Sequence, residues 1–331
     1  MRLFANANYD FLGAARRAFL AFAAVIVAGL VMLVLNGVEY SIEFTGGTLV
    51  QIETREPVDP GVIRTALAEQ GITGAEIQRF GSTREFVIRA LTAKQGADPN
   101  DTQATSSAVS TALDRVVGAG AYTVVRTEAV GPKVGSELRT QAVWLVLLSF
   151  LAVLIYLAFR FEWRFGVAAV GATLHDIVSA LAFIGLARIE VSLFVVGALL
   201  SIVGYSLNDK IVVLDRVREN LRKRQRDDFP TLLNRSINET LPRTVFTGST
   251  ALGSLVALAI LGGEVVRAFA LVMLYGVIVG TFSSIFIASP VLLAIERRWP
   301  GAQVKALRAP GKPAPPTPPS PPGRKAQPVG R

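Results

Sequence analysis

The chain has 331 residues, 51% of them hydrophobic, with a formal net charge of +9 and a mean hydropathy of +0.45. That is too apolar for an ordinary soluble domain, and the excess sits in long runs, so a multi-span membrane protein is expected. The absence of cysteine excludes a disulfide framework and thiolate chemistry, and a lone histidine argues against His-rich zinc sites.

In chain order, residues 1–17 end in Arg16 and Arg17, and a first span covers 18–35. The apolar run is longer than a signal-peptide core and no small-x-small cleavage site follows, which predicts a retained anchor. A soluble insert occupies 36–137. Its pattern predicts strands at 48–53, 76–80, 85–90 and 122–129 and helices at 60–70 and 102–117. Asp59-Pro60 reads as a helix start, Gly71 as a stop and Gly81-Ser82-Thr83 as a hairpin turn. The order β-α-β-β-α-β predicts a small α+β, ferredoxin-like unit.

Five further spans are expected at 138–159, 165–187, 191–213, 242–262 and 267–296, which makes the rest an α-helical polytopic membrane protein. Arg16, Arg17, Arg160, Arg164, the basic run from Arg222 to Arg226, Arg297 and Arg298 all fall on one side if the N-terminus is cytoplasmic. Both termini are then inside and the insert outside. So placed, the positive charge marks a membrane face rather than a nucleic-acid surface. Trp144, Trp163 and Trp299 lie near span ends, as interfacial aromatics should. In the inner loop, 214–241, the fourth span continues as a helix and Asp228-Phe229-Pro230 turns the chain. Leu233, Ile237 and Leu241 then give a second helix one apolar face, with a solvated basic loop as the alternative. The Pro-rich basic tail, 297–331, cannot bury a core and is expected to be extended.

The strongest candidate for chemistry is Asp209, in the inner half of the fourth span with apolar residues on both sides. A carboxylate at lipid depth is costly unless it is paired or does a job. Arg243, at the start of the fifth span, is placed at similar depth by the intervening turn. An Asp–Arg couple that opens on protonation and closes on deprotonation suits a proton-coupled conformational machine. A static pair holding two helices together is the alternative. Asn208 and Lys210 flank the site, and Lys210 lies about 100° round the helix from Asp209, which predicts that it snorkels. His175 and Asp176 lie mid-span in the third helix and either extend a proton path or fix packing by a hydrogen bond. Asp215, Arg216, Arg218 and Glu219 read as a cytoplasmic ion network. Gly276-x-x-x-Gly280, Gly197-x-x-x-Ser201 and Gly204 permit close helix contacts. No Walker loop, Ser/His/Asp set or zinc helix stands in a usable context, so no hydrolytic site is expected.

Several of these stretches together resemble the SecF branch of the SecD/SecF family in the RND superfamily. They are Phe44-Thr45-Gly46-Gly47, Val130-Gly131-Pro132, His175-Asp176, the run Gly204 to Asp209, Asp215-Arg216, Arg218-Glu219-Asn220, Leu241-Pro242-Arg243-Thr244 and Gly262-Gly263. The resemblance implies six spans, a periplasmic domain and a place in the bacterial inner membrane. It implies use of the proton-motive force with no bound cofactor, proton-linked roles for Asp209 and Arg243, and a further Asp supplied by SecD. The function implied is movement and release of exported proteins after the SecA-driven stage. The partners implied are SecD as a separate chain, the SecYEG channel, YajC, YidC, the unfolded exported polypeptide and membrane lipid, but no nucleic acid. A proton-driven exporter of small molecules or lipids, or a passive scaffold of the translocon, are the rival readings. Lys210 departs from the family pattern, where a smaller residue is expected.

Overall fold

A computed structural model of the chain describes residues 7–72, 75–79, 82–90, 102–223 and 227–308. Phe80 and Gly81 of the expected hairpin, Arg224 and Arg226 of the inner loop, and the Pro-rich tail from residue 309 lie outside that range. Six helices are long and apolar enough to cross a membrane: Phe11–Asn36, Lys133–Arg160, Trp163–Ala187, Leu193–Arg222, Phe229–Leu261 and Val266–Arg298.

Helix α1 (Phe11–Asn36) begins seven residues before the expected apolar run because Asp10 caps it, accepting from the Gly13 amide at 2.9 Å. A single turn, α2 (Ile42–Thr45), leads into the insert, whose elements are β1 (Gly47–Thr54), α3 (Pro60–Glu69), β2 (Glu76–Arg79), β3 (Glu85–Ala90), α4 (Thr102–Leu113) and β4 (Tyr122–Val130). The sheet order is β2-β3-β1-β4 with every neighbour antiparallel. That is the ferredoxin-like arrangement the alternation predicted. Alternation also explains the core: Val50 and Ile52 of β1 and Phe86 and Ile88 of β3 turn inward onto Ile63, Leu67, Val109 and Leu113 of the two helices. Each such buried side chain contributes about 1.5–3 kcal/mol. The opposite face of the sheet is polar and carries Gln51, Arg89, Arg126 and Glu128.

The remaining helices are α5 (Pro132–Arg160), α6 (Trp163–Ala187), α7 (Leu193–Arg222), α8 (Phe229–Leu261), α9 (Gly263–Ser283), α10 (Ser289–Arg298) and α11 (Ala302–Arg308), with a π turn, Ser284–Ala288, between α9 and α10. Burial divides the bundle. The central stretches of α6, α7 and the α9–α10 rod are 50%, 56% and 61% buried, against 6%, 11% and 17% for α1, α5 and α8. Three helices form the centre and three lie around it. The centre is closed by small residues: a Cβ on Gly276 would lie 2.2 Å from the Ile202 side chain, and one on Gly280 would lie 2.9 Å from that of Ser206. Gly197 and Gly204, by contrast, meet nothing within 4 Å.

The separate inner-loop helix and fifth span expected from the sequence are one rod, α8, with Pro242 inside it. Asp228 caps its start, accepting from the Thr231 amide at 3.3 Å. Proline costs one backbone hydrogen bond, yet helices in lipid tolerate it where side chains re-satisfy nearby carbonyls. The carbonyl that Pro242 frees is that of Asn238, and in the turns before it the hydroxyls of Ser236 and Thr240 add bonds to the carbonyls of Leu232, Ser236 and Ile237. The basic helix ends gather at one end of the bundle. Arg160 pairs with Asp215 at 2.5 Å, Arg164 with Glu296 at 3.0 Å, and Trp163 meets Trp299 edge-on at 6.3 Å.

Candidate functional site

Two polar centres lie next to each other at mid-depth in the bundle. The first is built on Asp176 of α6, which is 1% exposed. Its carboxylate accepts from the Lys210 ammonium at 2.5 Å and the Ser283 hydroxyl at 2.7 Å, from Ser206, and from His175 Nδ1 at 3.0 Å. Lys210 is wholly buried and donates to Ser206 as well. The cluster joins α6, α7 and α9, and a further bond between Ser179 and Tyr275, 2.7 Å long, repeats the α6–α9 link higher up. A buried ion pair of this kind stands only when additional hydrogen bonds satisfy both partners, and these do. His175 Nε2 is buried without a partner among the described residues.

The expectation that Lys210 snorkels is therefore wrong. The signal against it was depth. Asp176 is about 20 Å from the start of α6 and Lys210 about 18 Å from the end of α7 at the helical rise. Antiparallel neighbours thus put the two at one level. With a carboxylate in reach, pairing replaces a long climb to water. Of the two readings offered for His175 and Asp176, the geometry fits the packing bond, and Ser206 and Ser283 complete a site that sequence reasoning missed.

The second centre is Asp209, one residue before Lys210 and 3% exposed. The 100° step between neighbours on a helix sends the two side chains to different sides of α7. Asp209 accepts one side-chain hydrogen bond among the described residues, from the Thr281 hydroxyl of α9 at 3.2 Å. Lys210 and Arg243 are the cations in electrostatic reach, but neither lies within 4 Å as an ion-pair partner. Arg243 of α8 has the expected depth and the wrong face: it is exposed and makes no ion pair among the described residues. So the structure brings Asp209 and Arg243 near each other without closing the expected contact. Two further hydroxyls on these elements, Tyr205 one turn before Asp209 and Thr244 beside Arg243, are buried without a hydrogen-bond partner among the described residues.

The surface next to this centre is unusual for lipid depth. Along α7, Ser201, Gly204 and Asn208 are exposed, and along α8, Arg243, Thr247, Thr250 and Ser254. Spacings of three and four put each set on one helix face. Polar groups on a span ordinarily face the protein interior or a water-filled cavity. Asn208 therefore belongs to this open face rather than to the buried cluster.

The expected ion network holds in part. Arg216 bonds Glu219 at 2.6 Å and Glu239 at 2.7 Å, and Lys223 bonds Glu219 at 2.7 Å. Asp215 instead turns to Arg160, and Arg218 makes no ion pair among the described residues. Glu239 and Asn220, which donates to Glu239 at 2.8 Å, were not anticipated, because they sit on different helices joined only by the fold. No group of acidic, histidine or cysteine side chains suited to a metal occurs among the described residues.

Comparison with known proteins follows the same outline. Residues 109–298 match the family described as protein export membrane protein SecD/SecF, C-terminal, and residues 31–58 match the SecD/SecF GG motif. The protein translocase subunit SecF of Gemmatimonas aurantiaca is 51% identical over 316 residues, covering 93% of this chain and 95% of that one. The Escherichia coli O157:H7 subunit of the same name is 36% identical, covering 87% and 88%. Among solved structures, the crystal structure of SecDF from Thermus, a translocon-associated membrane protein, superposes with a TM-score of 0.78 at 37% identity. It covers 90% of this chain, which spans 40% of that longer protein. SecDF in its super-membrane-facing form gives a TM-score of 0.63 at 36% identity, so the arrangement here lies nearer the first.

Proposed function

The chain belongs to the SecD/SecF family of protein-export membrane proteins, on its SecF side, and from that premise we propose that Asp209 is its proton-exchanging group. In this reading the proton-motive force, with no bound cofactor, drives release of exported polypeptide after the SecA-driven stage. Asp209 alternates between a protonated state held by Thr281 and an ionised state that draws in Arg243. The alternation changes how α7, α8 and α9 pack. Two states differing by one buried charge are what a proton-driven cycle needs.

One observation carries the proposal. Two carboxylates lie side by side in the same bundle, and one is saturated while the other is not. Among the described residues Asp176 has four donors, one of them the Lys210 ammonium. Among the described residues Asp209 has a single hydroxyl donor, with the Arg243 guanidinium nearby on an open face. A group meant only to hold helices together would be satisfied as Asp176 is.

The open polar face of α7 and α8 is where SecD docks, supplying partners for the exposed Asn208 and Arg243. The charged end of the bundle, with both termini, faces the cytoplasm, and the α/β insert stands in the periplasm beside the exit of the SecYEG channel. YajC and YidC belong to the same assembly, and the insert meets the unfolded exported chain. The experiment is Asp209→Asn in inverted vesicles containing the whole complex. The component of export stimulated by the proton-motive force should vanish, and the SecA-driven component should remain. Equal stimulation in the variant removes the proposal.

A further inference from the structure

The insert is connected to the bundle through more than its two covalent joins. Between α6 and α7 the chain makes a short loop, 188–192, at the outer end, and the segment leading from α1 into β1 runs alongside it. A parallel backbone bridge links them: Ser41 donates to the Val191 carbonyl at 3.0 Å, and Val191 donates to that of Glu39 at 2.8 Å. The Glu43 carboxylate accepts from the Leu193 amide at 2.6 Å, in the first turn of α7, where an anion is favoured by the free amides and the helix dipole. Arg188, left-handed at φ 51°, holds Glu39 with its Nε at 2.9 Å. Phe44 is buried against Ala142 of α5 and Val196 of α7. The body of the sheet is tied on separately, for Arg89 of β3 pairs with Glu190 of the loop.

Helix α7 runs unbroken from Leu193 to Arg222. Asp209 is therefore on the same rod as the loop, about 24 Å inward at the helical rise. The covalent routes are less direct. Helix α5 has no charged residue between Arg139 and Arg160, and α1 and α5 are the two least buried spans.

We infer that the 188–192 loop is the transmission element of the molecule. Glu43 and Glu190 are positioning residues that make the insert ride on the outer end of the Asp209 helix. This deepens the proton-exchange reading and rests on it. A tilt or shift of α7 set off at Asp209 reaches the insert through the Glu43 cap, the backbone bridge and the Arg89–Glu190 pair. The first and fifth helices of the chain follow.

The chain has no cysteine, so labelling sites can be introduced into it singly, with the unsubstituted complex as the labelling blank. Labels on Arg64→Cys in the insert and Leu261→Cys at the outer end of α8 report the distance between insert and bundle at low and high pH. The wild-type distance distribution should shift with pH, and the shift should disappear in Asp209→Asn. It should also disappear in Arg89→Gln/Glu190→Gln and in Glu43→Ala, which leaves the Leu193 amide without its acceptor, with complex assembly unchanged and proton-driven export falling toward the Asp209→Asn level. The charge-reversed pair Arg89→Glu/Glu190→Arg should restore both. If Glu43→Ala fails to assemble, the Arg89 and Glu190 variants, which change partly exposed side chains, decide alone. A shift retained in the clasp variants but lost in Asp209→Asn overturns the transmission role and spares the proton reading. A shift retained in Asp209→Asn removes the proton reading itself. A wild-type distance that does not respond to pH overturns the inference.

Discussion

Lys210 and Asp209 are neighbours on one helix, yet their surroundings are opposites. Lys210 points into the middle of the bundle, where Asp176 and Ser206 accept from it and Ser283 of a third helix completes the shell of Asp176. Asp209 points toward Thr281 and the edge where α7 and α8 leave polar surface uncovered. The first arrangement is complete within the chain. Among the described residues the second has one donor to its carboxylate. Burial alone would have ranked the two sites equal, since both are almost fully buried. Counting the donors separates them.

Substitutions that break the closed site should dominate stability. Lys210→Met strands the Asp176 carboxylate in a dry cluster and should lower the stability of the purified complex by about 3–5 kcal/mol, read from its thermal unfolding. Asp176→Asn combined with Lys210→Met should recover most of that loss, because neither charge is then left alone. Gly276→Val drives a side chain into Ile202 at the α7–α9 contact and should cost about 1–3 kcal/mol by the same measurement. Thr281→Ala removes its bond to Asp209 and should cost only about 0.6 kcal/mol, the usual worth of a hydrogen bond between spans. Arg243→Lys, on an exposed side chain, should stay within about 0.5 kcal/mol of wild type. Proton-driven export should rank the last two the other way: Arg243→Lys should lose much of it, because an ammonium cannot replace a planar, two-pronged guanidinium. Full export in Arg243→Lys would favour a passive scaffold.

The sequence carried most of the architecture. Spans were legible because lipid imposes one length and one composition on a helix. The insert was legible because Val50, Ile52, Phe86 and Ile88 alternate with polar residues and because Asp59-Pro60 starts a helix. What stayed hidden depends on rotation and on distant neighbours. Depth put Asp209 and Arg243 at one level, but which face of α8 carries Arg243 depends on how that helix runs through Pro242. Lys210 was misread because its partner lies 34 residues away on another helix. The clasp at 188–192 was invisible for the same reason, being made of backbone bonds and of Glu–Arg pairs that join separate stretches.

The claim on which the account turns is that the Asp209 carboxyl group takes up and gives off a proton while the complex is intact. Infrared difference spectra of the reconstituted complex, recorded between acid and neutral pH, observe carboxyl protonation directly. A protonated-carboxyl band that titrates in the wild type and is missing in Asp209→Asn is the predicted result. Spectra that are the same in the two proteins would contradict it.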